Sequence, residues 1–320
     1  MKRSVLVFVA VGILLVAGCS PVLAADAIPT VSIATSQPGQ NYMLIGNTMA
    51  EYLKGTIDLV VEPGSTFGAI ISTSANDTQF GITASTACGS AREGARFFEK
   101  NGGKQENFRF VASLYKHHLR AYTTDPNLTN WNQLKGRSVT FGPTGGESFD
   151  YDPLILSYMG INKGDYTLKT MPFTDAIEAM RNRQLDVILN CTPTPFAMFD
   201  DLAYSDKQAH NLTLDKEIVE RLVTEWPGFK YEEYTLETQW AHEKPLWAPY
   251  QQVTVICNVS VDDDVVYKFL SCMSDRFADL QSVVPAMKMG MESPKDFAAN
   301  PADLLVHPGA LKFYKEKGFM

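Results

Sequence analysis

Long apolar runs are nearly absent from this sequence. The one present, Ser4 to Ala17, follows the basic pair Lys2 and Arg3. It falls short of the ~20 residues that a transmembrane helix needs, and reads as a secretory signal within residues 1–24. Two exits are open. Val16-Ala17-Gly18-Cys19 fits a lipoprotein box that leaves a lipidated Cys19, and Val22-Leu23-Ala24 fits cleavage before Ala25. Either places the mature chain outside the cytoplasm, in the periplasm. An excess of positive charge is also missing. The formal net charge is −8, which argues against nucleic acid or an anionic membrane as the main partner. It does not argue against a small anionic ligand, because a pocket sets its own potential.

Catalytic and metal signatures are missing as well. There is no GxSxG, HExxH, GxGxxG or P-loop. His210, His242 and His307 lack metal-ligand spacing. His117 and His118 are adjacent, so on a strand they face opposite sides. No cofactor and no metal are expected. Beyond the signal there are four cysteines, Cys88, Cys191, Cys257 and Cys272. Their spacing fits neither a CxxC motif nor a zinc ribbon. One or two disulfides, or small buried thiols, are both open.

What is present is alternation. Val31 to Ala34 reads as a strand, followed by Leu44, Ile45, Met49, Tyr52 and Leu53 at helical spacing. Asp58 to Val61 is the next strand, and a helix through Ala69 to Ile71 leads to a third at Phe80 to Thr83. This βαβα order implies a parallel sheet covered by helices. The pattern repeats: a strand at Arg137 to Phe141, a helix from about Asp152 to Met159, a helix Asp175 to Arg183 capped by Thr174, and a strand at Leu185 to Leu189. Val253 to Val259 is a further strand. A long helix then begins at Asp262 to Asp264 and carries Val266, Phe269, Leu270, Met273, Phe277 and Leu280 on one face. Trp226, Tyr231, Tyr234, Trp240 and Trp247 make the stretch from Leu222 to Tyr250 aromatic-rich, as packing or as a partner surface.

Each strand ends in a loop of small polar residues. The first loop is Ser36 to Asn41. The others are Glu62 to Thr66, Ala84 to Thr86, Gly142 to Ser148 and Asn190 to Pro195. In open α/β sheets ligands bind beyond the carboxyl ends of the strands. Five such loops facing each other would line one cleft, although ordinary βα turns favour the same residues.

The order of several short motifs carries a resemblance. They are Pro63-Gly64-Ser65-Thr66, Val111-Ala112-Ser113-Leu114-Tyr115, Leu134-Lys135-Gly136-Arg137-Ser138-Val139, Phe173-Thr174-Asp175-Ala176, Thr192-Pro193-Thr194-Pro195 and the ending His307-Pro308-Gly309-Ala310-Leu311-Lys312-Phe313-Tyr314-Lys315-Glu316-Lys317-Gly318. In this the chain resembles the substrate-binding subunits of tripartite ATP-independent periplasmic (TRAP) transporters, of the TAXI subfamily. The resemblance implies an α/β, two-lobed periplasmic binding protein of the type with two hinge-crossing strands, at His118 to Tyr122 and Val253 to Cys257. Lobe I would be residues 27–118 plus 255–320, and lobe II residues 119–254. It also implies a small carboxylate ligand, glutamate-like or a dicarboxylate or keto acid, delivered to a TRAP membrane permease driven by an ion gradient.

A carboxylate needs oriented donors. The candidate ligand-binding residues are Asn41, Tyr42, Ser65, Thr66, Ser85, Thr86, Tyr115, His118, Thr144, Gly146, Glu147, Ser148, Thr192 and Pro193. Arg92, His117 and Arg120 lie near the third loop and first crossing and can pair with an acid. Glu147 is the exception, since its charge would repel a carboxylate. It is expected to point to solvent; otherwise it meets an ammonium group. Two alternatives stay open: the binding subunit of an ATP-driven importer, and a secreted hydrolase using Cys88 or Cys191 with a histidine, Cys88 opening a helix that would stabilise a thiolate.

Overall fold

A computed structural model describes residues 28–38, 40–143, 147–193, 196–234 and 246–320. The signal region and Cys19 lie outside those residues, as do Thr194, Pro195 and Trp240. The strands are β1 (Thr30–Ala34), β2 (Asp58–Glu62), β3 (Phe80–Ala84), β4 (Phe108–Thr123), β5 (Ser138–Thr140), β6 (Thr167–Leu168), β7 (Val187–Thr192), β8 (His210–Asn211), β9 (Lys230–Tyr234) and β10 (Leu246–Asn258). Their order is β2-β1-β3-β10-β4-β7-β5-β6, with β8 on β4 and β9 on β10. The βα units pair in parallel, β2 and β3 on β1, and β6 and β7 on β5. The two longest strands, β4 and β10, run antiparallel to each other and join the two halves.

Those halves are two α/β lobes with separate cores. One core gathers Ile33, Ile45, Phe80, Phe110, Val255, Phe269 and Phe313. The other side has two clusters, one around Val139, Ile155, Leu189 and Phe229, the other around Tyr122, Ile177, Met180 and Phe199. The core side chains on β4 pass from the first cluster at Tyr115 to the second at Leu119. Each crossing strand therefore belongs to both lobes, which is the geometry of a hinge.

Local sequence explains most elements. The Asp262 side chain accepts from the Asp264 N–H and caps helix Asp263–Asp275, whose inward residues Val266, Phe269, Leu270 and Met273 recur at helical spacing. The long helix expected there is two helices, broken at Arg276, with Phe277–Val283 as the second. Thr174 caps nothing. Its helix is Phe173–Arg181, two residues earlier than expected, with Pro172 before it. Ile177 and Met180 still point inward. Leu44 is exposed, so the first helix buries a narrower stripe than its apolar spacing suggests.

The C-terminal motif is structural. His307 Nδ1 accepts from the Gly309 N–H at 3.2 Å and caps helix Pro308–Lys317. A Cβ on Gly309 would lie 2.2 Å from the Asp263 carbonyl oxygen, so only glycine lets these two helices approach so closely. Tyr314 donates to the carbonyl of Phe297 at 3.0 Å and reaches that of Val111. Gly318 ends the helix in the left-handed region at φ 68°. Cys88, Cys191, Cys257 and Cys272 are all free thiols, and the first three are buried. No helix among the described residues is long and apolar enough to cross a membrane.

Phe269 stacks on Phe80 with centroids 4.7 Å apart and is 1% exposed. Phe269→Ala should cost about 3–5 kcal/mol of stability through the cavity it leaves. Urea unfolding measures this, and a loss below about 1 kcal/mol would mean the first lobe is not packed around that helix.

Candidate functional site

The carboxyl ends of the strands converge where the lobes meet. Helix Ser85–Glu93 follows β3 directly and faces the segment at Trp226 to Gly228 from the other lobe. Ser85 Oγ donates to the Gly228 carbonyl at 2.7 Å and accepts from the Gln252 N–H at 3.0 Å. Trp226 Nε1 donates to the Thr86 carbonyl at 3.3 Å. Arg96 donates to the Glu225 carbonyl at 2.9 Å and lies 3.9 Å over the Trp226 ring. Gly228 has φ +99°, and a Cβ there would lie 2.3 Å from the Ser85 carbonyl oxygen. The lobes are therefore shut on one another, largely through main-chain atoms.

Beneath this seam sits a cluster drawn from both lobes. Thr86 donates to the side-chain oxygen of Gln251 on β10. Gln251 Nε2 donates at 2.8 Å to Glu147 Oε2, at the start of helix Ser148–Tyr158. Glu147 thus points inward, not to solvent as expected, and its Oε1 is solvent-shielded with no hydrogen-bond partner. Burial pushes its carboxyl up to about 7, with a further push from Asp150, and the Gln251 hydrogen bond offsets only part of this. Tyr42, from the helix after β1, lies close enough to Tyr115, Glu147, Cys191 and Cys88 that all four raise its pKa further, after burial.

Other polar atoms in this region are also left open. Tyr115 Oη is shielded and unpartnered; Asn41 stands beside it without hydrogen-bond geometry. His117 Nε2 is likewise open. Its ring lies 6.2 Å from that of Tyr42 and 5.3 Å from that of Tyr115. Burial, then His118, lowers its pKa to about 3, so the imidazole is neutral. Asp150 Oδ2 and both carboxyl oxygens of Asp152 are shielded without partners. Burial raises both acids. Leaving such groups unpaired costs about 1–3 kcal/mol each.

Among the sequence candidates, Asn41, Tyr42, Tyr115 and Glu147 come together here. Ser148 is buried nearby and donates to Tyr151 Oη at 3.1 Å. Several others are spent on the fold. Ser65 caps the helix Thr66–Ala75, accepting from Gly68 N–H at 3.2 Å. Thr66 offers its carbonyl to Thr83 Oγ1. Ser85 and Thr86 hold the interlobe seam, Thr192 pairs with Tyr122 Oη at 2.9 Å, and Pro193 accepts from Arg120 at 3.5 Å. His118 is turned to Glu232 Oε1 at 2.8 Å, beside Lys116, on the strand face opposite His117. Thr144 and Gly146 lie outside the described residues. Arg92 donates to the carbonyls of Ala302 and Asp303. Cys88 is fully buried and its thiol is pushed up by burial, then by Glu147, which removes the thiolate expected at a helix start. A surface hollow of about 290 Å³ at Asp125, Arg183 and Gln208 lies apart from this cluster.

Sequence reasoning passed over Gln251, Asp150 and Asp152. Gln251 carried no signal because it sits in mid-strand. The two acids belong to a helix that starts four residues earlier than expected, at Ser148, and so reaches the cleft.

Residues 33–318 match the model of the NMT1-like family. Among solved structures, the alkanesulfonate-binding protein SsuA from Xanthomonas axonopodis pv. citri aligns at 10% identity and TM-score 0.46, covering 87% of this chain and 85% of that one. The aliphatic sulphonate binding protein SsuA from Escherichia coli aligns at 13% identity and TM-score 0.46, covering 89% and 78%. A chain from work on glutathione import via GshT and the cystine ABC importer TcyBC of Streptococcus mutans aligns at 10% identity and TM-score 0.49, covering 84% and 100%.

The Glu147 carboxyl is held above its unfolded value, so it favours the folded state at low pH and loses that contribution as pH rises from about 4.5 to about 7. Glu147→Gln should therefore melt at a temperature closer to wild type at pH 5 and higher than wild type at pH 8. A variant that melts lower than wild type at pH 8 would show that the carboxylate is paired in the folded protein.

Proposed function

The chain belongs to the NMT1-like family, and from that premise we propose that it is an extracytoplasmic solute-binding protein. It captures a small polar solute between its lobes and presents the closed form to a membrane transporter. The observation that carries this is the buried, unpartnered set Tyr115 Oη, His117 Nε2, Glu147 Oε1 and Asp150 Oδ2 at the lobe junction. Tyr115 and His117 come from a hinge strand, Glu147 and Asp150 from the second lobe, and Tyr42 faces them from the first. The lobes that close are taken as residues 27–118 with 255–320, and residues 119–254. The leader that exports the chain is residues 1–24, or a lipoprotein signal that ends before Cys19 and leaves that cysteine as the anchor.

Work in this site is binding, not bond-making. The thiols of Cys88 and Cys191 are held protonated by burial, and His117 is neutral but faces no activated nucleophile among the described residues. For the partner we take an ATP-driven importer, the kind of transporter named with the structure concerned with TcyBC. The ion-gradient TRAP permease is the second reading, favoured by the order of short motifs from Pro63 to Gly318. Uptake by the cognate transporter that survives collapse of the ion gradient supports the importer, and uptake that stops with it supports the permease. A carboxylate ligand finds fewer donors than the sequence promised, since Ser65, Ser85, Thr86 and Thr192 are engaged.

Gly89 tests the closure itself. A Cβ there would lie 2.3 Å from the Pro227 carbonyl oxygen across the seam. Gly89→Val should keep the melting temperature of each lobe's core but hold the lobes apart. Small-angle scattering then gives a larger radius of gyration than wild type, and native mass spectrometry finds no retained small molecule. A variant as compact as wild type and equally loaded would sink the capture reading.

A further inference from the structure

The site's chemistry narrows what can fill it. Three carboxyl side chains, Glu147, Asp150 and Asp152, fall within the six residues 147–152, where the chain enters helix Ser148–Tyr158. Glu147 Oε1 and Asp150 Oδ2 are shielded acceptors without a hydrogen-bond partner, although the Phe97 N–H lies close enough to the Asp150 carboxyl to lower it. The basic groups whose charge reaches this region are committed elsewhere. Arg92, felt at Cys88, donates to the carbonyls of Ala302 and Asp303. Arg96, felt at Asp150, donates to Glu225 and covers Trp226. A second observation is independent of the acids: Tyr115, fully buried on β4, leaves its hydroxyl unpartnered in the same cluster. Tyr115, Tyr42 and the His117 ring offer aromatic faces there. Aromatic faces and unpaired carboxyl oxygens both favour a cation.

Resting on the capture reading, we infer that the solute carries a protonated nitrogen, an amine or an amidine, which donates to Glu147 Oε1 and Asp150 Oδ2 beside the rings of Tyr42 and Tyr115. The Gln251 amide, tied to Thr86, fixes the other Glu147 oxygen and so aims the free one. The groups facing Glu147 are Asp150 and Tyr151 on its own helix, Tyr42 and Cys88 from the first lobe, Cys191 on β7 and Gln251 on β10. None of these is a cation. An anionic solute would meet Glu147 with no cation facing it. A nitrogen cation pairs with Glu147 and drives off its proton, so its affinity rises with pH.

The test is calorimetry on the mature protein, stripped of solute by unfolding and refolding, with six probes. Putrescine, agmatine, L-arginine and L-glutamate carry a nitrogen cation; 2-oxoglutarate and succinate do not. The expected result is binding of one or more of the first four and of neither of the last two. The affinity should tighten about tenfold between pH 6 and pH 8, as the ionised fraction of a carboxyl near 7 grows by that factor. Titrations in two buffers of different ionisation enthalpy should show proton release at pH 7. Glu147→Gln, with a melting curve to show that it folds, should bind roughly tenfold or more weakly and lose the pH slope. Asp150→Asn should weaken binding as well. Binding of succinate or 2-oxoglutarate with proton uptake overturns the inference and leaves capture between lobes intact. Binding of nothing in the panel overturns it too, while the Gly89→Val comparison decides the capture reading separately. A wild-type pH slope in Glu147→Gln would equally overturn it.

Discussion

The pairing of β4 with β10 is the constraint on which the rest depends. Each strand gives one stretch to the first core and another to the second, so neither lobe can be assembled without fixing the hinge. The register shifts between Gln252 and Thr254. A shift of this kind bends and twists a strand locally. Here it lies where Gln251 turns its side chain toward Glu147 and the Gln252 N–H meets Ser85. The same irregularity that joins the lobes thus supplies the parts that read their closure.

Much of this was legible in the sequence. The βα alternation, the strands at Val31 and Phe80, the inward face at Val266 to Met273 and the polar strand-end loops all follow from period and burial. Alternation along β4 separated His117 from His118 correctly. What was not legible depends on atoms distant in the chain. Ser85, Thr86 and Thr192 look like free donors in sequence and are taken by Gly228, Gln251 and Tyr122 in space. Glu147 looks like a surface acid because nothing nearby in sequence pairs with it. It is drawn inward by Gln251, which lies 104 residues away. Helix starts misled in the same way. Ser148 opens its helix without a side-chain cap at Glu147, so no local signal marked the turn that carries Asp150 into the cleft.

The ending His307 to Gly318, one of the motifs behind the family resemblance, is used by the fold. Its cap, its close approach at Gly309 and its Tyr314 hydroxyl all serve the return of the last helix to the first core. Such residues are fixed by helix packing, and packing is shared by proteins that bind different solutes.

The seam at Ser85 to Gly89 and Glu225 to Gly228 is made mostly with backbone carbonyls as acceptors. A carbonyl keeps its place whatever side chain the residue carries. The fit of one lobe on the other is therefore insulated from changes at Tyr42, His117, Glu147 or Asp150. Lineages of this scaffold are free to exchange the residues that touch a solute while inheriting the closing movement unaltered, so that new cargo can be acquired one contact at a time.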